Sequence, residues 1–352
     1  MRIGRRHLLL AVVGLPVAGL LVAWLGFFNV GASSGHWKIT DWFLHFAMRS
    51  AVRTYALAEP DPPPFDDGML PLAAGHFARG CAGCHGAPGE PRSPAVLHML
   101  PQPPDLAQVG DKWTDSQLFR IVKHGVRFTG MPAWPTQVRD DEVWWMVAFL
   151  RRLPGMDAEA YRRLAGRDAM PGRPDGALGR ALAGCAECHG RDGTGRSPHV
   201  PIIAGQKQAY LLESLRAYAQ EERASGIMAL PAVQTVPELW HELAGWFAEQ
   251  PWPPDAGAAD SRLAERGRAI AERGIPARSV PACLSCHGET VANPHHPRLD
   301  GQRAGYLAIQ LRLFRAGERG NSAYARVMTR AAKGLEPEDI EALAGYFASR
   351  RR

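Results

Sequence analysis

The sequence predicts an all-α protein: one N-terminal apolar helix, then three small helical domains. Three observations carry this expectation. No stretch shows the sustained period-two alternation of a half-buried strand. Helical patterns close three successive blocks, at Asp140 to Leu153, Pro237 to Glu249 and Pro337 to Arg350. The last two begin with proline, a favoured first-turn residue. Finally, Leu8 to Phe28 form an apolar run of about 21 residues, long enough to cross a hydrocarbon core as a helix.

Arg2, Arg5 and Arg6 precede that run. Basic residues on this side keep the N-terminus cytoplasmic and send the bulk of the chain across the membrane. Trp24, Phe27 and Phe28 read as an interfacial belt. The expectation is an uncleaved anchor over residues 1–30, in a bacterial inner membrane, with the rest in the periplasm. The alternative is a cleaved signal peptide, for which Val30-Gly31-Ala32 is a passable site. Residues 31–67 then hold an amphipathic helix and a linker. From Thr40 to Ala58, Asp41, His45, Arg49 and Arg53 recur every four residues, amid Trp42, Phe43, Leu44, Phe46, Met48 and Val52. Such a helix packs on the next domain, lies at the membrane surface, or docks a membrane partner.

Glu59-Pro60-Asp61-Pro62-Pro63-Pro64 is a stiff, extended linker. Further breaks at Met170-Pro171-Gly172-Arg173-Pro174 and Pro251-Trp252-Pro253-Pro254 divide the remainder into blocks 68–168, 172–252 and 256–352. The second and third blocks are repeats. Gly179-Arg180-Ala181-Leu182-Ala183 answers Gly267-Arg268-Ala269-Ile270-Ala271, and Gly205-Gln206 with Tyr210-Leu211 answers Gly301-Gln302 with Tyr306-Leu307. Leu243-Ala244-Gly245-Trp246-Phe247-Ala248 answers Leu343-Ala344-Gly345-Tyr346-Phe347-Ala348. An insertion in the third block, including Pro276 and Pro281, reads as a surface loop.

The six cysteines decide the chemistry. They fall as Cys81/Cys84, Cys185/Cys188 and Cys283/Cys286, each pair followed at once by a histidine: His85, His189 and His287. A zinc site needs two pairs to converge, and these lie about 100 residues apart. A thioredoxin-like pair needs a βαβ context that is missing here. Structural disulfides give no reason for a histidine after every pair. Cys-x-x-Cys-His is the attachment signature of c-type haem, two thioethers and an iron-ligating histidine, so three covalently bound haems c are expected.

A second protein ligand closes the iron and favours electron transfer over small-molecule binding; methionine in that role raises the potential. Met131, in Gly130-Met131-Pro132, lies 46 residues after His85. Met228 and Met328 lie 39 and 41 residues after His189 and His287, and both sit nine residues before the proline that opens the closing helix. Met99, Met146, Met156 and Met170 read as core filler. Rival ligands are His98 and His124 in the first block, His199 in the second, and His295 and His296 in the third. The last three lie beside Pro201 and Pro297 and read as haem-edge or solvent residues, and His36 and His45 as structural ones.

On these residues each block resembles a class I cytochrome c domain: N-terminal helix, attachment motif, loop-borne methionine, C-terminal helix. Residues from about 170 to 352 resemble the diheme c-four-type cytochromes, through the Gly-Gln and Tyr-Leu segment, the methionine and the Leu-Ala-Gly-(Trp/Tyr)-Phe-Ala helix. Residues from about 68 to 155, with Lys123-His124-Gly125 and Gly130-Met131-Pro132-Ala133-Trp134, are similar to the single-haem domains of oxidase- and dehydrogenase-associated cytochromes. The resemblance implies that the Pro201 and Pro297 carbonyls accept hydrogen bonds from the ligand histidines, which tunes imidazole orientation.

The formal charge of +6 is concentrated partly at the termini, and three pairs of haem propionates would offset about as much. A nucleic-acid partner is therefore not expected. No catalytic base, nucleophile or substrate pocket is identifiable, so the chain reads as an electron carrier rather than an enzyme. It would relay electrons between a membrane donor and a terminal acceptor, with a quinol-oxidising complex, a dehydrogenase or a terminal oxidase or reductase as partners. Two alternatives stand beside this: the cytochrome subunit of a membrane-bound periplasmic dehydrogenase, and a haem enzyme or sensor with one open coordination site.

Overall fold

The computed structural model describes residues 4–27, 29–107, 112–167, 174–253, 261–288, 290 and 293–350. Among them the regular structure is helical, with isolated bridges in place of strands. The Met170-to-Arg173 break and Pro254 lie outside the described residues.

Helix α1 (Arg5–Trp24) is long and apolar enough to cross a membrane, and none of it is buried against the rest of the chain. Helix α2 (Lys38–Tyr55) follows. Its C-terminal half docks through Val52, while its N-terminal half projects clear of the protein.

The first block comprises α3 (Leu70–Gly80), α4 (Ala82–His85), α5 (Pro94–Leu97), α6 (Asp115–His124), α7 (Asp140–Arg152) and α8 (Ala158–Ala165). Helix α6 starts on a capping box between Thr114 and Gln117, which satisfies two otherwise orphaned backbone donors. Helices α3, α7 and α8 meet around Phe77, Phe149 and Tyr161, all fully buried. Burying one such side chain is worth about 1.5–3 kcal/mol. Helix α8 is not anticipated by the sequence pattern. It closes the far side of α3 and extends the core beyond the small one expected of a haem domain; Val200 and Ile227 of the second block join the same cluster.

The second block comprises α9 (Gly176–His189), α10 (Gln208–Ala219), α11 (Gly226–Gln234) and α12 (Trp240–Glu249). The third repeats it with α13 (Ser261–Arg273), α14 (Leu284–His287), α15 (Ala304–Ala316), α16 (Ala323–Ala332) and α17 (Pro337–Ser349). In each, the first and last helices pack together, α9 on α12 and α13 on α17. At the latter crossing a Cβ on Gly267 would stand 2.1 Å from the Ala342 carbonyl oxygen, so only glycine lets the two helices approach. The insertion before Cys283 is more than a surface loop. Val280 is 4% exposed in the third core, and Arg278 pairs with Asp339 at the start of α17.

Candidate functional site

Each attachment motif sits where a helix ends. Cys81 caps α3 and His85 closes α4; Cys185, Cys188 and His189 form the last turn of α9; Cys283 and His287 bracket α14. All six thiols are free of disulfides. Burial pushes the Cys81 thiol up to about 12, with the neighbouring Cys84 adding to the effect, and Cys185, Cys188 and Cys283 up to about 11. They are therefore neutral thiols in apolar surroundings, unsuited to reactive thiolate chemistry. Thioethers, which carry no charge, suit such surroundings.

The three histidines share one arrangement. Nδ1 of His189 lies 3.3 Å from the Pro201 carbonyl oxygen, and Nδ1 of His287 lies 3.2 Å from that of Pro297. Both are contacts that the family resemblance implies. The first block has its own equivalent, which the sequence reading did not find: His85 Nδ1 lies 2.9 Å from the Pro104 carbonyl oxygen. A carbonyl only accepts, so Nδ1 carries the proton and Nε2 keeps its lone pair for a metal. Burial lowers the His189 and His287 pKa values to about 4, against the pull of the proline carbonyls, so both rings are neutral at physiological pH.

The second and third blocks share a cavity of about 460 Å³, into which both sets of expected ligands face. Cys185, Cys188, His189 and Met228 line one part; Cys283, Cys286, His287 and Met328 line another. Its walls include Leu211, Leu243, Phe247 and their repeats Leu307, Leu343 and Phe347. Thiols, an imidazole and a thioether over apolar walls fit a covalently held haem in each block.

The methionines depart from one expectation. Met131 lies in a loop, but Met228 falls in the first turn of α11 and Met328 within α16. Ser225 and Ser322 cap these helices, accepting from the Met228 and Ala325 amides. The Met131 loop is held differently: Thr129 Oγ1 accepts from the Met131 amide, and the Met131 carbonyl accepts from Val126. Gly125, at φ +63°, leads into it, and a Cβ there would stand 2.5 Å from the Met131 carbonyl oxygen.

The rival histidines have other partners. His45 pairs with Asp41 at 3.4 Å, and His124 faces Glu59 at 3.4 Å. His199 stacks on Trp145 of the first block, with ring centroids 5.3 Å apart. His295 stacks on Tyr324, and His296 Nδ1 lies 2.9 Å from the Cys286 carbonyl oxygen. His36 and His98 are exposed. The sequence reading overlooked His76, which is buried on α3 against Trp134 at 4.6 Å. Burial, followed by the Arg79 charge, lowers its pKa to about 4.

Two interfaces join the blocks. Between the second and third, Gln302 donates to the Ile202 carbonyl at 2.9 Å and accepts from its amide at 2.8 Å. Gln206 does the same to Arg298, at 3.0 and 2.8 Å. Above them Arg223 donates to Tyr306 and Gln310, and Arg319 to Gln310. Neither arginine has a carboxylate partner among the described residues, and guanidiniums so placed fit an anionic group such as a propionate. Between the first and second blocks, Arg79 pairs with Glu187 at 2.7 Å, next to Cys188. Gly75 of α3 comes so close that a Cβ would lie 2.9 Å from the Cys188 sulfur.

Comparison with known proteins follows the same division. Residues 71–150 match the family described as cytochrome C oxidase, cbb3-type, subunit III. Cytochrome c4 of Pseudomonas aeruginosa is 35% identical over 177 residues, which is 49% of this chain and 87% of that protein. A thiosulfate dehydrogenase electron acceptor of Stutzerimonas stutzeri is 32% identical over 49% of this chain and 82% of its own length. Among solved structures, reduced recombinant cytochrome c4 from Pseudomonas stutzeri is 32% identical, covering 50% of this chain and 97% of that one with a TM-score of 0.46. Repeated attachment motifs, each with its proline-held histidine, and a relative matched over most of its length place this chain in the cytochrome c4 family of class I c-type cytochromes, electron-transfer proteins with covalently bound haem c.

Proposed function

We propose that this chain is a membrane-anchored, three-haem cytochrome that relays electrons in the periplasm between a membrane donor and a terminal acceptor. The observation that carries the reading is the threefold arrangement of a Cys-x-x-Cys-His motif with its histidine Nδ1 held by a proline carbonyl. Haem c, when bound, supplies a one-electron couple. The protein does the rest. Cys81 and Cys84, Cys185 and Cys188, and Cys283 and Cys286 anchor the three groups. His85, His189 and His287 would offer Nε2 to the iron, and Met131, Met228 and Met328 would supply its second protein ligand. In the second and third blocks the mainly apolar walls would lower the polarity around the iron and so favour the higher potentials that methionine ligation gives.

We divide the chain into an anchor at 1–30, a juxtamembrane segment at 31–67 and haem domains at 68–168, 172–252 and 256–352. The exposed, apolar α1 supports the anchor. A second reading, the cytochrome subunit of a membrane-bound dehydrogenase, is favoured by the similarity to an electron acceptor of thiosulfate dehydrogenase. The test is haem quantification on the purified full chain, by intact mass and alkaline pyridine spectra, with ferric spectra of the same sample. Three haems per chain, all low-spin with His/Met signatures, are expected. Two haems, or a high-spin fraction, would overturn the relay as stated. Co-purification of a catalytic subunit would select the second reading.

A further inference from the structure

The ligand helix of the second block begins against the first block. Glu142 on α7 is 2% exposed, and both of its carboxylate oxygens are aimed at the N-terminus of α11. It accepts from the Ser225 hydroxyl at 2.5 Å, the Gly226 amide at 2.7 Å and the Ile227 amide at 3.2 Å. The Ser225 oxygen in turn accepts from the Met228 amide at 3.0 Å. Trp134 Nε1 donates to the same carboxylate at 3.3 Å, and Arg139 pairs with it at 2.9 Å while also donating to the Ala224 carbonyl. The first amides of a helix have no partner within it, and a carboxylate is the acceptor their dipole favours. Here that carboxylate comes from another domain. The fit is tight: a Cβ on Gly226 would stand 2.2 Å from Trp134 Nε1.

We infer that Glu142 is a positioning residue for the middle haem: from the first domain, through Ser225, it fixes the turn that carries Met228 and so would keep the second domain's methionine in place to ligate the iron. The inference rests on Met228 being that ligand. Outer contacts of this kind govern how firmly a metal ligand is held. Among the described residues no carboxylate of another block caps the Met131 loop, which is pinned locally, or the helix of Met328, which Ser322 of its own block caps; the ties there include the Trp134 indole on Glu142 and a backbone bond from the Asn321 amide to the Glu222 carbonyl at 3.0 Å. Docking of the first domain is thereby linked to the middle haem.

The test is Glu142→Gln in the full-length haem-loaded protein, kept in detergent, with Met228→Ala as reference. The amide keeps the shape but replaces one carboxylate oxygen by an N–H group, so that either the Gly226 and Ile227 amides or the Arg139 guanidinium meet a donor instead of an acceptor. Two readouts follow one haem at a time: the ferric methionine-ligation charge-transfer band and the resolved potentials. Both substitutions should weaken one ligation signature and lower one potential, leaving the other two in place. Ser225→Ala should do the same to a smaller extent, and serves alone if Glu142→Gln yields no loaded protein. Unchanged spectra and potentials in Glu142→Gln, alongside a lost signature in Met228→Ala, would overturn the inference and leave the ligand reading standing. An equal effect on all three haems would also overturn it, by showing Glu142 to be generally structural. An intact signature in Met228→Ala would instead remove the ligand reading itself.

Discussion

The side-chain amides of Gln206 and Gln302 act as inserted backbone units. Each offers a donor and an acceptor to one residue of the opposite block, and that residue directly follows the proline whose carbonyl holds the histidine of the block's Cys-x-x-Cys-His motif. The two blocks thus steady each other's histidine-bearing segments. Replacing Gln302 by alanine strands the buried amide and carbonyl of Ile202, each costing about 1–3 kcal/mol when orphaned. The loaded Gln302→Ala protein should therefore unfold at lower denaturant, with Gln206→Ala giving a similar loss and the double variant less than the sum. A cost below about 0.5 kcal/mol in either single variant would show that water replaces the clamp. The Gly-Gln pair is legible in the sequence as a repeated unit, and its cysteine and histidine neighbours announce their chemistry outright. What the glutamine touches is not legible, because its partner lies 100 residues away in the chain.

Helix starts illustrate the same boundary. The bounds of α7 and α17 follow from pattern and proline placement, yet the helices bearing Met228 and Met328 do not. Pro231 interrupts α11, removing a donor and leaving a short segment with no clear period. Glu142 sits in an acidic run, Asp140-Asp141-Glu142, that reads as ordinary first-turn charge; only the packing of another block against it gives it a second use. Asp339 in the first turn of α17 is comparable. It is 1% exposed, pairs with Arg266 and Arg278 at 2.6 Å each, and accepts from the Glu336 amide at 3.0 Å. Burial opposes its ionisation, but the Glu336 amide and the two guanidiniums outweigh that and hold the carboxyl below its usual range. A depressed folded value means stability that is complete above about pH 4 and lost as pH falls through the folded value. Asp339→Asn should cost about 1–3 kcal/mol at neutral pH. The gap in Tm between the two proteins should close as pH drops below about 4, and a gap independent of pH would exclude the ionised pair as its source.

At the scale of the whole molecule, α2 stands between the first block and the membrane-directed α1. Its C-terminal half is mounted firmly: Val52 is buried, Arg120 lies over the Tyr55 ring at 4.9 Å, and Glu59 pairs with Arg120 at 2.8 Å. Its N-terminal half stands free, with Ile39, Trp42, Phe43 and Phe46 each more than half exposed on one face. That face is too apolar for water and sits only a short tether from α1; the segment between them reaches at most about 45 Å when extended. With α1 in the bilayer, the free half of α2 can reach the interface, where Trp and Phe side chains settle and basic residues meet anionic headgroups. Because the other half is fixed to the first domain, such insertion would set the orientation of that domain above the membrane. A chain lacking residues 1–30 should then still sediment with phosphatidylglycerol-containing vesicles. Substituting Trp42, Phe43 and Phe46 together by serine should release it, while the haem spectra stay unchanged. If the truncated chain remains in the supernatant with its spectra intact, the exposed face of α2 is a docking surface for a membrane protein instead, and α1 alone would hold the relay at the membrane.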